Sequence, residues 1–493
     1  MIVTMVLLPF LGGCLAFLLR RTAPFVAVLG AASVAATAAM LAVGVWRSGP
    51  RIYAIGGWGA PIGIELVADG LSAIMLLTSA VVVLAVSVYS IGYHEHDDSD
   101  AWHPGEGFWP LALILWGALN VLFLSADVFN LYVALELMTL AAVGLVVLSG
   151  GEAALMAAMR YALAAFAASM MYLLGVAILY GAYGRLDLDG LATVVSPEPA
   201  AFVAAALIGG ALLLKTALFP LHFWLPRAHA AAPAPVSALL SSLVVTGSFY
   251  LFLRLWTGVF STIAVPAAGQ FVGALGAGAI LWGSLQALRQ QHLKVMIAYS
   301  TVAQVGYLFL PIPLLTSAAT TPDGALLWGI DAWNGGIYHA ISHALAKAAM
   351  FLAAGTIVHA LGSDRIVGIS GIARQLPITT YAFGIAGMTL IGLPPSGGFV
   401  AKWLLLSAAF ASGQWWWAVV ILAGGVLTAG YIFLVLGQEL SLAGTDQPVE
   451  LSKVPRSMEY AAFSLAVASL LLGLRVIEPI ALLQAGLPFV EGG

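Results

Sequence analysis

Apolar runs long enough to cross a bilayer follow one another along almost the whole chain, and nothing else in the sequence constrains the fold as strongly. Such runs fall near residues 2–19, 24–46, 66–91, 108–126, 128–149, 156–182, 200–232, 235–258, 264–288, 294–312, 325–361, 379–412, 415–438 and 458–482, which makes fourteen candidate spans. About 20 apolar residues cross the hydrocarbon core as a helix, and lipid offers no partner to a bare backbone N–H or C=O. The chain is therefore expected to be an all-α polytopic membrane protein. Its composition agrees, because a soluble domain does not carry 62% hydrophobic and only 8% charged residues.

The same composition excludes several functions. The net charge of −4 is small and dispersed, and no Lys/Arg cluster forms a nucleic-acid patch. A single cysteine, Cys14, gives neither a disulfide framework nor a thiolate metal site. MIVTMVLLPF has no basic residues before its apolar run, so 2–19 reads as a retained helix rather than a cleaved signal. The largest polar connections, 94–107 and 438–457, are too short for a soluble domain. Residues 1–493 are thus expected to form one transmembrane domain, without a cofactor, metal or redox site of their own.

An even number of spans puts both termini on one side. Ten basic residues fall in odd-numbered connections: Arg20, Arg21, Arg160, Arg227, Arg289, Lys294, Arg365, Arg374, Lys453 and Arg456. Five, namely Arg47, Arg51, Arg185, Arg254 and Arg475, fall on the other side. The positive-inside rule then places the odd connections in the cytoplasm and both termini on the outer, periplasmic side of the cell (inner) membrane.

Lys215, Lys347 and Lys402 fit no connection and lie within spans. Three segments, 200–232, 325–361 and 379–412, are also too long for one straight crossing. Two contain breakers: KTALFPLHFWLP, with Pro220 and Pro226, and LPPSGGF, with Pro394, Pro395, Gly397 and Gly398. Broken helices, the seventh and twelfth spans, are expected there, with their freed backbone buried in protein or lining a hydrated cavity.

Each intramembrane charge has a structural and a functional reading. Glu136 lies about eight residues into its span, at a cost of roughly 2.5–3.5 kcal/mol. Glu136 and Lys215 can form a plain ion pair, or a relay in which the carboxylate sets the lysine's proton affinity. His339, His343 and Lys347, at i, i+4 and i+8, form a stripe about 12 Å long on one helix face. Such a stripe suits proton conduction, since imidazole both donates and accepts; a metal site using both histidines has no third ligand nearby on that helix. Lys402, four residues after the PPSGG break, reads as a carrier or a snorkelling lysine. His222 and Lys294 are accessory candidates that can equally cap backbone or anchor an interface. Asp69 and Asp127 stand at span starts, where a carboxylate meets the positive helix end.

VADGLSAIML (67–76), FNLYVALELM (129–138), LLLKTALFPLHFWLPRAHAAAPAPVSALL (212–240), LKVMIAYSTVAQVGY (293–307), HAISHALAKAAMFLAAG (339–355) and GLPPSGGFVAKW (392–403) together resemble the antiporter-like family. That family includes subunits of Mrp-type cation/proton antiporters, proton-pumping membrane subunits of complex I, and counterparts in membrane-bound hydrogenases. The resemblance implies fourteen helices: three N-terminal ones (1–107), two inverted five-helix repeats (108–258 and 259–440), and a last helix (441–493). It also implies an ion path through Glu136, Lys215, His339, His343, Lys347 and Lys402. A lysine at 402 looks like the Mrp D type or the innermost complex I type; the resemblance, taken as most like Mrp D, implies a proton-conducting subunit, with other membrane subunits as partners and Na⁺ as a candidate coupled ion. A redox-driven pump subunit and a non-conducting structural subunit are the alternatives, so whether the chain belongs to an enzyme stays open. One departure stands out: the lysine usual in the family's eighth helix is Thr246 here. A hydroxyl carries no positive charge, although it can bind a water.

Overall fold

In a computed structural model the described residues are 1–94, 104–321, 323, 325–441 and 451–486. Most of the connection at 94–107, and the centre of that at 438–457, lie outside them. The chain is built almost entirely from helices: α1 (Ile2–Leu18), α2 (Ala23–Ser48), α3 (Gly70–Tyr93), α4 (Pro104–Leu124), α5 (Val128–Val147), α6 (Gly151–Tyr183), α7 (Leu188–Val194), α8 (Pro199–Lys215), α9 (Leu225–Ala231) and α10 (Ala234–Leu239). There follow α11 (Val245–Thr257), α12 (Pro266–Leu288), α13 (Leu293–Phe309), α14 (Pro311–Thr320), α15 (Ile330–Leu361), α16 (Pro377–Ile391), α17 (Gly397–Ala411), α18 (Trp415–Glu439), α19 (Arg456–Leu471) and α20 (Ile477–Leu483). Among the described residues ten helical stretches are long and apolar enough to cross a membrane, joined by the shorter apolar helices α1, α8, α16 and α17. The protein is multi-pass.

Local chemistry sets the ends of these helices. The Asp69 carboxylate accepts from the Ser72 amide at 2.8 Å while Ser72 Oγ accepts from the Asp69 amide, a reciprocal cap on α3. Asp127 caps α5 through the Asn130 amide, Asp187 caps α7 through Gly190, and Ser396 caps α17 through Phe399.

Both expected breaks are present. The run 200–232 becomes α8 and α9 with a non-helical segment between them, and 379–412 becomes α16 and α17. The run 325–361 is different. It continues unbroken as α15, preceded by one π-helical turn at Ala325–Gly329, and every residue from Ala332 to Ile357 is buried. Its surplus length follows from its place inside the bundle, among α3, α10, α13, α16, α17 and α19, where lipid thickness does not limit it.

Three details differ from the sequence reading. The run at 294–312 continues past Pro311 as α14, since a proline at the first position of a helix removes no needed donor. The run at 458–482 divides into α19 and α20, where a Cβ on Gly473 would stand 1.9 Å from the Pro395 carbonyl oxygen; the last helices cross the second break at backbone contact. A short antiparallel hairpin, β1 (Arg51–Ala54) with β2 (Glu65–Ala68), fills the second connection.

The connections sort into two faces. On one, the β2 carbonyl of Glu65 accepts from Ala126, Ala126 accepts from Leu188, Gly70 donates to Ala485, and Thr262 donates to Val195. On the other, Leu293 donates to Asp364, Gly371 to Gln438, Ser452 to Ala360, and Ser149 to Ala231. Even-numbered connections meet only on the first face in these contacts and odd-numbered ones only on the second, as alternating spans require.

The even face is tied by a bidentate pair in which Arg254 donates to both Asp69 carboxylate oxygens at 2.8 and 2.9 Å. Arg254→Met leaves the largely buried Asp69 carboxylate unpaired and is expected to cost about 3 kcal/mol. Thermal unfolding of the detergent-extracted protein reads the loss, and Asp69→Ala, which also removes the α3 cap, should cost about 1 kcal/mol more.

Candidate functional site

The first break ends α8 on Lys215 itself. Trp224, beyond the break, donates its indole N–H to the Leu214 carbonyl at 3.0 Å and stacks on Tyr161 of α6, which satisfies an acceptor freed by the break. Lys215 Nζ is buried, donates to Thr139 Oγ1 at 3.0 Å and stands 3.5 Å from Glu136 Oε1. The Ser169 hydroxyl on α6 donates to the same Glu136 oxygen. Glu136 is less enclosed than its depth in the sequence suggests. A quarter of its side chain is accessible, on an α5–α6 surface where Val133, Leu140, Leu163 and Phe166 are exposed.

The second break is satisfied in a complementary way. Lys402, from the first turns of α17, reaches back and donates to the Leu390 and Ile391 carbonyls at 3.0 and 2.9 Å, the last acceptors of α16. Its ammonium also lies 4.3 Å from the centre of the Tyr307 ring. This is no snorkelling lysine: it is 6% exposed and bound to broken backbone. The approach is tight enough that a Cβ on Gly398 would stand 1.9 Å from the Thr389 carbonyl oxygen.

Between the breaks runs α15. His339, His343 and Lys347 are 2%, 1% and 0% exposed and share one face. His339 Nε2 contacts the Gln304 carbonyl at 3.1 Å, and its ring lies 5.3 Å from Tyr307 and 6.0 Å from His343. Lys347 donates to the Ile297 carbonyl and to the Ser300 hydroxyl. Among the described residues both ring nitrogens of His343 and Nδ1 of His339 lack partners, so this line holds open hydrogen-bonding capacity where water or a mobile proton can be received. Tyr307 touches both His339 and Lys402, which joins the stripe to the second break.

The accessory candidates separate. Lys294 donates to the carbonyls of Ala230 and Ala232 at the end of α9, and lines a cavity of about 270 Å³ with Tyr93, Ala234, Gly355 and His359 on the odd-connection face. His222 stacks on Phe219 within the first break, and among the described residues no hydrogen bond or ring contact joins it to another candidate. Thr246 is fully buried, and among the described residues its hydroxyl has no partner. It follows a π-helical turn, Leu240–Val244, where Ser241 bonds Thr301 of α13 at 2.8 Å.

Sequence reasoning passes over one residue of this region. His229 is fully buried at the end of α9, stacked 5.2 Å from Phe351 of α15, with both ring nitrogens unpartnered among the described residues. It lies within electrostatic reach of both Lys347 and Lys294. It falls at the end of the run 200–232, where the one local signal is a histidine three residues past a helix-starting proline.

Residues 125–428 match the family model described as NADH:quinone oxidoreductase/Mrp antiporter, TM, and residues 55–101 match the N-terminus of complex I chain 5. The N-type subunit of the NADH-quinone oxidoreductase of Desulforudis audaxviator is 36% identical over 433 residues, covering 87% of this chain and 82% of that one. The D-type subunit of the Na⁺/H⁺ antiporter of Alkalihalophilus pseudofirmus is 30% identical over 446 residues, covering 87% and 84%. A chain of the Mrp complex from Dietzia sp. DQ12-45-1b shares the fold, with a TM-score of 0.86 over 98% of this chain and 96% of that one at 24% identity.

The backbone approach at the second break yields a test. Gly398→Ala forces a backbone shift in a packed interior and is expected to cost about 1–3 kcal/mol or more, read as lost thermal stability of the extracted protein, while Gly30→Ala, where a Cβ meets nothing within 4 Å, leaves it unchanged. The chain belongs to the NADH:quinone oxidoreductase/Mrp antiporter family of membrane subunits.

Proposed function

We propose that the chain is a proton-conducting membrane subunit of a multisubunit Mrp-type cation/proton antiporter complex, with Na⁺ as the candidate coupled ion. The observation that carries this reading is a lysine at each helix break, Lys215 paired with Glu136 and Lys402 on broken backbone, with the buried stripe Lys347–His343–His339 joined to the second break through Tyr307. Its relation to the D-type subunit of a Na⁺/H⁺ antiporter supports the same class of work.

In this mechanism a proton bound at Lys215 is released when Glu136 moves away and regained when the pair closes, because an ammonium in a dry site depends on its carboxylate. The stripe passes the charge between the two breaks, and Lys402 exchanges it at the second. His222, Thr246 and Lys294 are not needed as carriers; Lys294 serves as a backbone cap beside the odd-face cavity. His229, between Lys294 and Lys347, is better placed than Thr246 to stand for the absent lysine.

The arrangement proposed for the whole is fourteen helices with two inverted five-helix repeats, 108–258 and 259–440, after N-terminal helices in 1–107 and before a last helix in 441–493. In support, α8 runs inward from the even face to its break, and α16 runs inward from the odd face to its own. The two-to-one excess of Lys/Arg places the odd face in the cytoplasm and both termini outside. A carboxylate on an otherwise apolar lateral surface calls for a neighbouring membrane subunit over Glu136.

The 36% identity to the N-type subunit of an NADH-quinone oxidoreductase favours a second reading, a proton-pumping subunit of a redox complex. Purification from the native membrane in mild detergent separates the two. Small hydrophobic antiporter subunits alone fit the first; co-purifying iron–sulfur or quinone-reducing subunits overturn it in favour of the second.

In vesicles bearing the purified complex, Lys215→Met and Glu136→Gln are each expected to lower ion-coupled proton movement by about 100-fold while assembly persists. Parent-like transport in either variant sinks the conduction mechanism. His229→Phe should lower transport by at least about tenfold and Thr246→Val by less than about twofold if the line runs through the histidine.

A further inference from the structure

Glu439 is the last residue of α18 and falls in what reads from the sequence as a polar connection, yet it is fully buried. Among the described residues neither carboxylate oxygen has a hydrogen-bond partner. The Thr380 hydroxyl on α16, also buried and unpartnered, interacts with it without reaching hydrogen-bond geometry. The neighbouring Thr379 donates to Glu459 of α19 at 3.2 Å.

Along its length α18 packs against α12, α13, α16, α17 and the short turn Ile366–Ile369. Their ionisable groups, and those flanking them, are Arg289, His292, Lys294, Tyr299, Tyr307, Asp364, Arg365, Arg374, Tyr381 and Lys402, of which His292 and Asp364 pair with each other. Among the described residues none pairs with Glu439. Lys294 and Lys402 are held on backbone carbonyls, Tyr307 donates to the Ile421 carbonyl, and Tyr381 is exposed.

An unpaired carboxylate away from water is costly, and the C-terminal end of a helix adds its own partial negative charge. A carboxyl that holds a proton removes both penalties. It then becomes a donor facing the Thr380 hydroxyl, and the buried site carries no net charge.

The position also has a direction. Gln438 accepts from Gly371 on the odd face, so Glu439 sits at that end of the bundle. The same buried side of α18 carries Tyr431 and Thr428, about 12 and 16 Å further in. Tyr431 donates to Thr428, Thr428 Oγ1 meets Gln304 Nε2 at 3.4 Å, and the Gln304 carbonyl meets His339.

We propose that Glu439 is a proton-binding carboxyl at the odd-face mouth of the second half, exchanging its proton between that face and the line Tyr431–Thr428–Gln304–His339. The step is a proton transfer alone: the acid gives its proton to water or the line, and the carboxylate is reloaded from the other side. The hand-over role rests on the conduction reading above; the binding of a proton does not.

The test uses the whole complex in vesicles, with infrared difference spectra across a pH step and ion-coupled proton movement measured on the same material. Glu439→Gln, close in shape, is expected to abolish one protonated-carboxyl C=O band and to lower transport by at least about tenfold, while co-purification of the other subunits is unchanged and Glu439→Asp restores part of the transport. No such band in the parent, or a band with transport within about twofold of the parent in Glu439→Gln, overturns the proposal. Lys215→Met and Lys402→Met run alongside. If both transport like the parent, the conduction reading fails and takes the hand-over role with it, while the infrared band still decides whether Glu439 holds a proton.

Discussion

A backbone carbonyl freed inside a bilayer has no water to bond, and the two helix breaks are shaped by that constraint. At the first, the Trp224 indole reaches the Leu214 carbonyl. At the second, Lys402 spans two carbonyls of α16. Each break places a lysine in a buried polar pocket, so the cost of interrupting a helix in lipid is offset by groups that also carry charge. A chain without those partners would keep its helices whole and have nowhere to put an ionisable group.

Those breaks depend in turn on α15. A helix buried all round cannot be positioned by lipid and is positioned by packing, here through small residues at close approach. A Cβ on Gly355 would stand 2.2 Å from the Ala234 Cβ, which seats α10 directly against α15. α10 leads into the π-helical turn and α11, so the same contact holds Ser241 against Thr301. Lys347 and His339 bind α13 and His343 is buried between them, away from lipid, which makes a stripe of protonatable groups tolerable.

The polar line is uneven. At its ends the charged groups are well held: Lys215 by Thr139 and Glu136, Lys402 by two carbonyls. In its middle, His229, His339 and His343 keep ring nitrogens with no partner. Groups bound at the ends and unsatisfied in the middle suit a path in which fixed sites load and release while mobile water or a shared proton completes the centre.

The sequence by itself determined the class of fold, the positions of most spans and both broken helices, because spanning length, lipid's lack of hydrogen-bond partners and the Pro/Gly clusters act locally. The i, i+4, i+8 spacing likewise determined that His339, His343 and Lys347 share a face. Tertiary structure decided what each of those groups meets. No local signal says that Lys402 turns back to α16, that Lys294 caps α9, or that Tyr307 bridges His339 and Lys402, since each depends on helices distant in the chain. The same holds for burial near helix ends. His229 lies at the end of a run that reads as a span and Glu439 in one that reads as a connection, and only the packing of α13 and Phe351 against α9 and of α16 against α18 encloses them. Burial is a property of the assembled bundle, not of the segment that contributes the residue.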